Sequence, residues 1–214
     1  MAKVRFDLSI SLDGYLAGPD PTLDDPLGVG GAQLHEWVLD LKAWREPHGR
    51  EGGETRSPDT ELFEEALANI GAYVMGRNMF GGGEGPWDES WKGWWGENPP
   101  FHVPVFVLTH HPREPLTMEG GTTFTFVTEG PEGALEQARE AAGEGDVVVA
   151  GGANVAQQYL QAGTVDEFTV HVVPLFLGGG TPLFANLGDG LELENTRAVR
   201  SPTGVAHLNY RVVK

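Results

Sequence analysis

The stretch that decides the fold is Asp146 to Leu160, D-V-V-V-A-G-G-A-N-V-A-Q-Q-Y-L. Val147, Val148, Val149 and Ala150 read as a buried strand. Gly151 and Gly152 follow at once, and Ala153 to Leu160 reads as a helix with Val155, Ala156, Tyr159 and Leu160 on one side. A strand, a glycine pair and a helix start form an anion site in outline. The first helical N–H groups lack partners, the dipole is positive there, and glycine lets a phosphate approach the main chain. A tight strand-to-helix turn with no ligand has the same local signature.

Working outward, two more buried strands end in groups suited to an anion. Ala72 to Met75 reads as a strand running into Gly76-Arg77-Asn78-Met79-Phe80. The Arg77 fork can grip two phosphate oxygens. Val103 to Thr109 reads as a strand ending in Thr109-His110-His111. The two histidines read either as loop residues or as ligand contacts, and Arg113 is a further cation nearby. Ligands of open α/β sheets lie at the carboxyl ends of strands, so these three ends would line one groove.

Further strands are expected at Val4 to Ser11, Thr123 to Thr128 and Glu167 to Val173. Helices are expected at Gln33 to Arg45, Pro58 to Ile70 and Pro131 to Ala142. Segments Leu191 to Arg197 and Gly204 to Val213 read as a C-terminal hairpin. Strands alternating with helices predict an α/β fold with an antiparallel edge. Residues 1–214 fit one domain, because no repeat and no long linker divides them.

The 31 acidic residues against 14 basic ones give a net charge of −17, which argues against nucleic-acid partners. An anionic cofactor would need a local basic pocket against that field. The absence of cysteine excludes disulfides, iron–sulfur clusters and Cys-ligated zinc, and the histidines show no metal spacing. No apolar run approaches the ~18 residues of a membrane span, and no signal-peptide core opens the chain, so a cytoplasmic protein is expected.

Five motifs in this order resemble the dihydrofolate reductase-like superfamily. They are S-L-D-G-Y-L-A-G (Ser11 to Gly18), V-M-G-R-N-M-F (Val74 to Phe80), V-F-V-L-T-H-H-P (Val105 to Pro112), A-G-G-A-N-V (Ala150 to Val155), and Val165 to Phe184 with its L-G-G-G-T-P-L-F. The branch resembled is the reductase domain of bacterial riboflavin-biosynthesis deaminase/reductases.

The resemblance implies a three-layer α/β fold with a mixed, mostly parallel central sheet, flanking helices and a C-terminal antiparallel hairpin. It further implies an NADPH-dependent reductase, a small heterocyclic substrate such as a pyrimidine or pterin, and a homodimer. Leu16, Ala17 and Gly18 would border the nicotinamide. Gly76, Arg77, Asn78, Met79, Thr109, His110 and His111 would face the 2′-phosphate side. Gly151, Gly152, Ala153, Asn154, Val155 and Ala156 would hold the pyrophosphate.

Asp13 is either a turn former or a catalytic or substrate-side residue. Trp87 belongs to a loop with Trp91, Trp94 and Trp95 that would serve as core, dimer contact or substrate lid. The acidic residue that the reductases carry on the helix before V-M-G-R falls at Thr60. Its neighbours Asp59 and Glu61 both suit an N-terminal helix turn. The place of a commonly found phosphate-binding hydroxyl is Met79. A nucleotide binder without turnover and a flavin-using protein are the alternatives. The Rossmann pattern G-x-G-x-x-G is absent from 146–160.

Overall fold

The computed structural model describes residues 2–188 and 190–214. In chain order the strands are β1 (Val4–Ser11), β2 (Tyr15–Ala17), β3 (Ile70–Gly76), β4 (Pro104–Leu108), β5 (Leu116–Thr117), β6 (Thr123–Val127), β7 (Asp146–Gly151), β8 (Glu167–Val173), β9 (Thr181–Pro182), β10 (Leu193–Arg200) and β11 (Ala206–Val212). The α-helices are α1 (Glu36–Leu39), α2 (Lys42–Arg45), α3 (Pro58–Leu67), α4 (Arg77–Phe80), α5 (Gly130–Ala142) and α6 (Ala153–Gln161). None of them is long and apolar enough to cross a membrane. The chain divides into two compact units: residues 1–6 with 69–166, and residues 7–68 with 167–214.

The first unit is a mostly parallel sheet in the order β1-β7-β3-β4-β6-β5. The pairs β1–β7, β7–β3, β3–β4 and β4–β6 are parallel, and only β5 runs antiparallel at the edge. Val74, Val105, Val107, Val147 and Val149 are fully buried, as β-branched runs in a parallel sheet require. Asp146 ties the first strand in place, accepting hydrogen bonds from Lys3 N at 2.9 Å and Arg5 Nε at 3.1 Å. Helix α5 packs on β3 and β4, and α6 on β7 and β3.

The second unit holds the antiparallel strands β10-β11-β8 and the small β2–β9 ribbon. Its core gathers Leu34, Trp37, Val38, Leu41, Val173 and Val205. The β10–β11 hairpin runs three residues further along its first strand than expected and carries a bulge between Asn195 and Arg197. Gly180 lies at φ +116°, where a Cβ would overlap the Ala17 carbonyl, so only glycine lets the ribbon close.

Two helices differ from the periodicity. The continuous helix expected over Gln33 to Arg45 is a 3-10 turn, Gly31–His35, followed by the short α1 and α2. Leu41 is extended at φ −75°, ψ 135° because the backbone around it pairs with Glu54. Glu54 N donates to Asp40 O at 2.7 Å, and Lys42 N donates to Glu54 O at 3.0 Å. The apolar spacing still reports burial, since Leu34, Trp37, Val38 and Leu41 are all inside. Helix α3 starts as expected, with Thr60 N donating to the Ser57 hydroxyl at 3.1 Å. It stops at Leu67 rather than Ile70: Ala68 is already extended at φ −76°, ψ 147°, and Asn69 then takes a left-handed φ of 57° ahead of β3.

Candidate functional site

In the first unit, the three strands expected to end in ligand-binding groups are neighbours. β3 lies between β7 and β4, Met75 pairs with Gly151, and Gly76 pairs with Leu108. Their carboxyl ends therefore bring together Gly76-Arg77, Thr109-His110-His111 and Gly151-Gly152.

Beyond β7 the Gly151–Gly152 peptide is cis. Gly152 is extended and has no side chain to cap the helix. The N–H groups of Val155 and Ala156 donate to Gly152 O at 3.1 and 3.3 Å, which leaves the first-turn N–H groups of Ala153 and Asn154 facing out of the helix start. Gly151 lies at φ +142°, and a Cβ there would lie 3.0 Å from the Met79 sulfur. Met79 thus packs under the glycine turn, while Asn78 is exposed. Gly76 is small for a related reason: a Cβ would stand 3.0 Å from Val155 Cγ2, where α6 packs against the end of β3.

Arg77 follows directly. Its guanidinium carbon lies 3.8 Å from the centre of the Trp87 ring, and its Nε and Nη2 are buried without a hydrogen-bond partner. Burial, and then the like charge of Arg113, pull its pKa below the ordinary arginine value. Arg113 lies 5.3 Å from the same ring, and its Nη2 donates to Glu89 O at 3.0 Å and Trp91 O at 2.7 Å. An unpaired buried guanidinium N–H group is costly, and an acceptor such as an anion can remove the cost.

The Thr109 hydroxyl accepts from His111 N at 3.1 Å, His110 is exposed, and His111 is half-buried. Trp87 Nε1 donates to His111 O at 2.8 Å, Trp91 Nε1 to Phe80 O at 3.0 Å and Trp94 Nε1 to Met79 O at 2.9 Å. The tryptophan loop is therefore fastened onto the residues that follow β3 and β4. Trp87, Trp91 and Trp95 also pack against the core around Phe80, Phe124 and Phe126.

In the second unit, Asp13 accepts from Leu177 N at 3.2 Å and Gly178 N at 2.8 Å, one on each carboxylate oxygen. A hydrogen bond with Ser11 and these two backbone bonds hold its pKa below the ordinary aspartate value. Leu16 and Ala17 lie on β2, which pairs with β9, and Gly18 N donates to Leu27 O at 2.7 Å.

Asp59 is not a surface charge of the helix start. It is 1% exposed and accepts hydrogen bonds from Ser201 Oγ and, at 3.3 Å, from Thr203 Oγ1; His207 Nε2 lies 2.8 Å from its other oxygen. The sequence offered no signal for this, because an acid in a first helical turn looks the same whether it faces water or a buried histidine. His171 is buried and paired, as its place in a strand suggests. Among the described residues, no group of three or more His, Cys, Asp or Glu side chains is arranged to hold a metal.

Solved structures with the same chain path include a riboflavin-biosynthesis candidate protein from Shewanella sp. PV-4, with a TM-score of 0.62 and 20% identity over 99% of both chains. A pyrimidine reductase-like protein from Corynebacterium diphtheriae aligns with a TM-score of 0.51 and 15% identity, over 100% of this chain and 92% of its own. Dihydrofolate reductase from Enterococcus faecalis, complexed with NADP(H), gives a TM-score of 0.56 and 18% identity over 99% and 97%. At these identities the likeness establishes the fold, which is dihydrofolate reductase-like. The uncharacterised protein YwjB of Bacillus subtilis is 32% identical over 69 residues, which is 32% of this chain and 39% of YwjB. The model of the RibD C-terminal domain family matches residues 2–207, and the chain belongs to that family.

Proposed function

We propose that the protein is an NADPH-dependent reductase of a small planar heterocycle, of pyrimidine or pterin type. The observation that carries the reading is the open Arg77 guanidinium at the joined strand ends, a cation held ready in a protein of net charge −17. When bound, such a cofactor supplies the hydride.

The chain's own residues bind and orient. Arg77 takes the 2′-phosphate, flanked by Gly76, Asn78, Met79, Thr109, His110 and His111. Gly151 and Gly152 admit the pyrophosphate, which receives the N–H groups of Ala153 and Asn154; Val155 and Ala156 shape the turn. Trp87 is the platform under Arg77. By resemblance, Leu16, Ala17 and Gly18 border the nicotinamide. Asp13, held as a carboxylate, positions the β2–β9 ribbon and is not assigned a proton transfer.

The fold shared with an NADP(H)-complexed dihydrofolate reductase and with a pyrimidine reductase-like protein supports the substrate class. The family match, which runs through segments of both units, supports reading residues 1–214 as one reductase domain. A homodimer is proposed on the resemblance alone, and sedimentation of the purified protein tests it.

Titration of the protein with NADPH and with NADH is the test of the cofactor. Binding that favours NADPH, followed by NADPH oxidation on adding a pyrimidine or pterin substrate, is expected. No calorimetric or fluorescence response to NADPH contradicts the proposal. Firm binding with no turnover across those substrates would leave a nucleotide-binding protein instead.

A further inference from the structure

The second unit buries a row of titratable groups that the proposed reduction does not use. His171 on β8 and His207 on β11 are register partners, 1% and 0% exposed. Their Nδ1 atoms share a hydrogen bond at 2.6 Å. The far nitrogen of His171 lies 2.5 Å from Asp7 Oδ1 on β1, and the far nitrogen of His207 lies 2.8 Å from Asp59 Oδ1 on α3. Trp37 from α1 covers both rings, with centroids 4.6 and 5.2 Å away, and gives its own N–H to Ser9 Oγ at 3.0 Å. Ser201 and Thr203 complete the Asp59 end.

Proton counting follows from these contacts. Each of the three contacts, Asp7–His171, His171–His207 and His207–Asp59, is a hydrogen bond only if one proton lies in it. The four groups therefore hold three protons between them and a net charge of −1. Removing one leaves two lone pairs facing each other, at a buried contact for His171–His207 and His207–Asp59 and at a partly exposed one for Asp7. Adding one sets two protonated atoms together. Burial first, and then the charge of His171, lower the pKa of His207, against the hydrogen bond with Asp59. His35, ahead of α1, is a further titratable group that interacts with His171. Burial and, less strongly, His171 lower its pKa, against a contact with the Gly31 backbone that raises it.

We propose that Asp7, His171, His207 and Asp59 form a three-proton lock that makes the folded state most stable near the ordinary histidine pKa and loosens it on both sides. Between the ordinary aspartate and histidine values the unfolded chain holds four protons on these groups, two on each imidazolium. Above about pH 6.5 it holds two, one on each neutral ring. The folded chain holds three throughout. Below about pH 6.5 the unfolded state binds more protons, so the lock strengthens folding as pH rises, by up to about tenfold per pH unit. Above it the unfolded state binds fewer, and the same factor is lost with each unit.

The test is urea unfolding of the full chain from pH 5 to 8.5, wild type against the double variant His171→Gln/His207→Gln. The ratio of their folding constants should peak near pH 6.5 and fall on both sides. A flat or one-sided ratio overturns the lock. Imidazole nitrogen-15 spectra of the wild type give a second readout that needs no variant. Three of the four ring nitrogens of His171 and His207 should stay protonated from pH 5.5 to 7.5, while a free imidazole standard titrates. Either ring titrating with the standard overturns the proposal. Neither measurement involves a cofactor, so the outcome is independent of the reductase reading.

Discussion

Arg77 lies over Trp87, its guanidinium carbon 3.8 Å from the ring centre, and keeps two buried N–H-bearing nitrogens free of any protein partner. The ring contacts the fork without using its donors. A cation–π contact of this kind contributes about 0.5–2 kcal/mol. Replacing Trp87 by Leu should weaken NADPH binding by roughly three- to thirty-fold. Trp87→Phe keeps a ring face but loses the hydrogen bond to His111 O, and should weaken binding less. Calorimetric titration of both variants checks the order. Equal losses in the two variants would show that the hydrogen bond, which both lose, matters and the ring face does not.

Gly151 and Met79 meet at the turn between β7 and α6. Gly151→Ala puts a methyl at φ +142° and 3.0 Å from the Met79 sulfur. It should destabilise the fold by about 1–3 kcal/mol. Adding Met79→Ala removes the contact but not the backbone strain, so the double variant should recover part of the loss beyond additivity. A strictly additive double-mutant cycle in urea unfolding would show that the sulfur gives way freely.

Much of this was legible in the sequence. The valine runs of β7 and β4 and the glycine–arginine end of β3 locate the strands, because buried parallel strands have little choice of residue. What pairs with what over long distances was not legible. The helix expected over residues 33–45 breaks at Leu41 because Glu54, thirteen positions on, pairs with its backbone. Asp59 and His207 are 148 positions apart and meet only in the folded chain, and no local pattern records that. The tryptophan loop left three roles open in the sequence, and its anchoring through the carbonyl partners of Trp87, Trp91 and Trp94 was not legible there.

Asp59 should be among the most sensitive positions for stability. Asp59→Ala removes the acceptor of Ser201, Thr203 and His207 together and leaves them buried. Breaking a buried pair from one side costs about 3–5 kcal/mol. Denaturant unfolding at pH 6.5 checks this. A loss below about 1 kcal/mol, the level of an ordinary surface change, would contradict the buried network.

Asp13 gives a pH dependence of known sign. Its folded pKa is lowered, so its hold on Leu177 and Gly178 is complete above the ordinary aspartate range and is lost as pH falls through the lowered value. Hydrogen exchange at the Leu177 and Gly178 amides should be slow at neutral pH, after correction for intrinsic rates, and accelerated in acid. Asp13→Asn should show faster exchange at neutral pH. Unchanged protection in the variant would mean that the loop does not depend on the carboxylate.

The central claim is that Arg77 binds the phosphate that distinguishes NADPH from NADH. Its direct measurement is the pair of dissociation constants for NADPH and NADH in wild type and Arg77→Ala. A hydrogen bond to a charged group contributes about 1.5–3 kcal/mol, so NADPH binding should weaken roughly ten- to a hundred-fold. NADH binding should change little, and the preference between the two should collapse. Equal losses for both dinucleotides, or none for either, would contradict the assignment of Arg77.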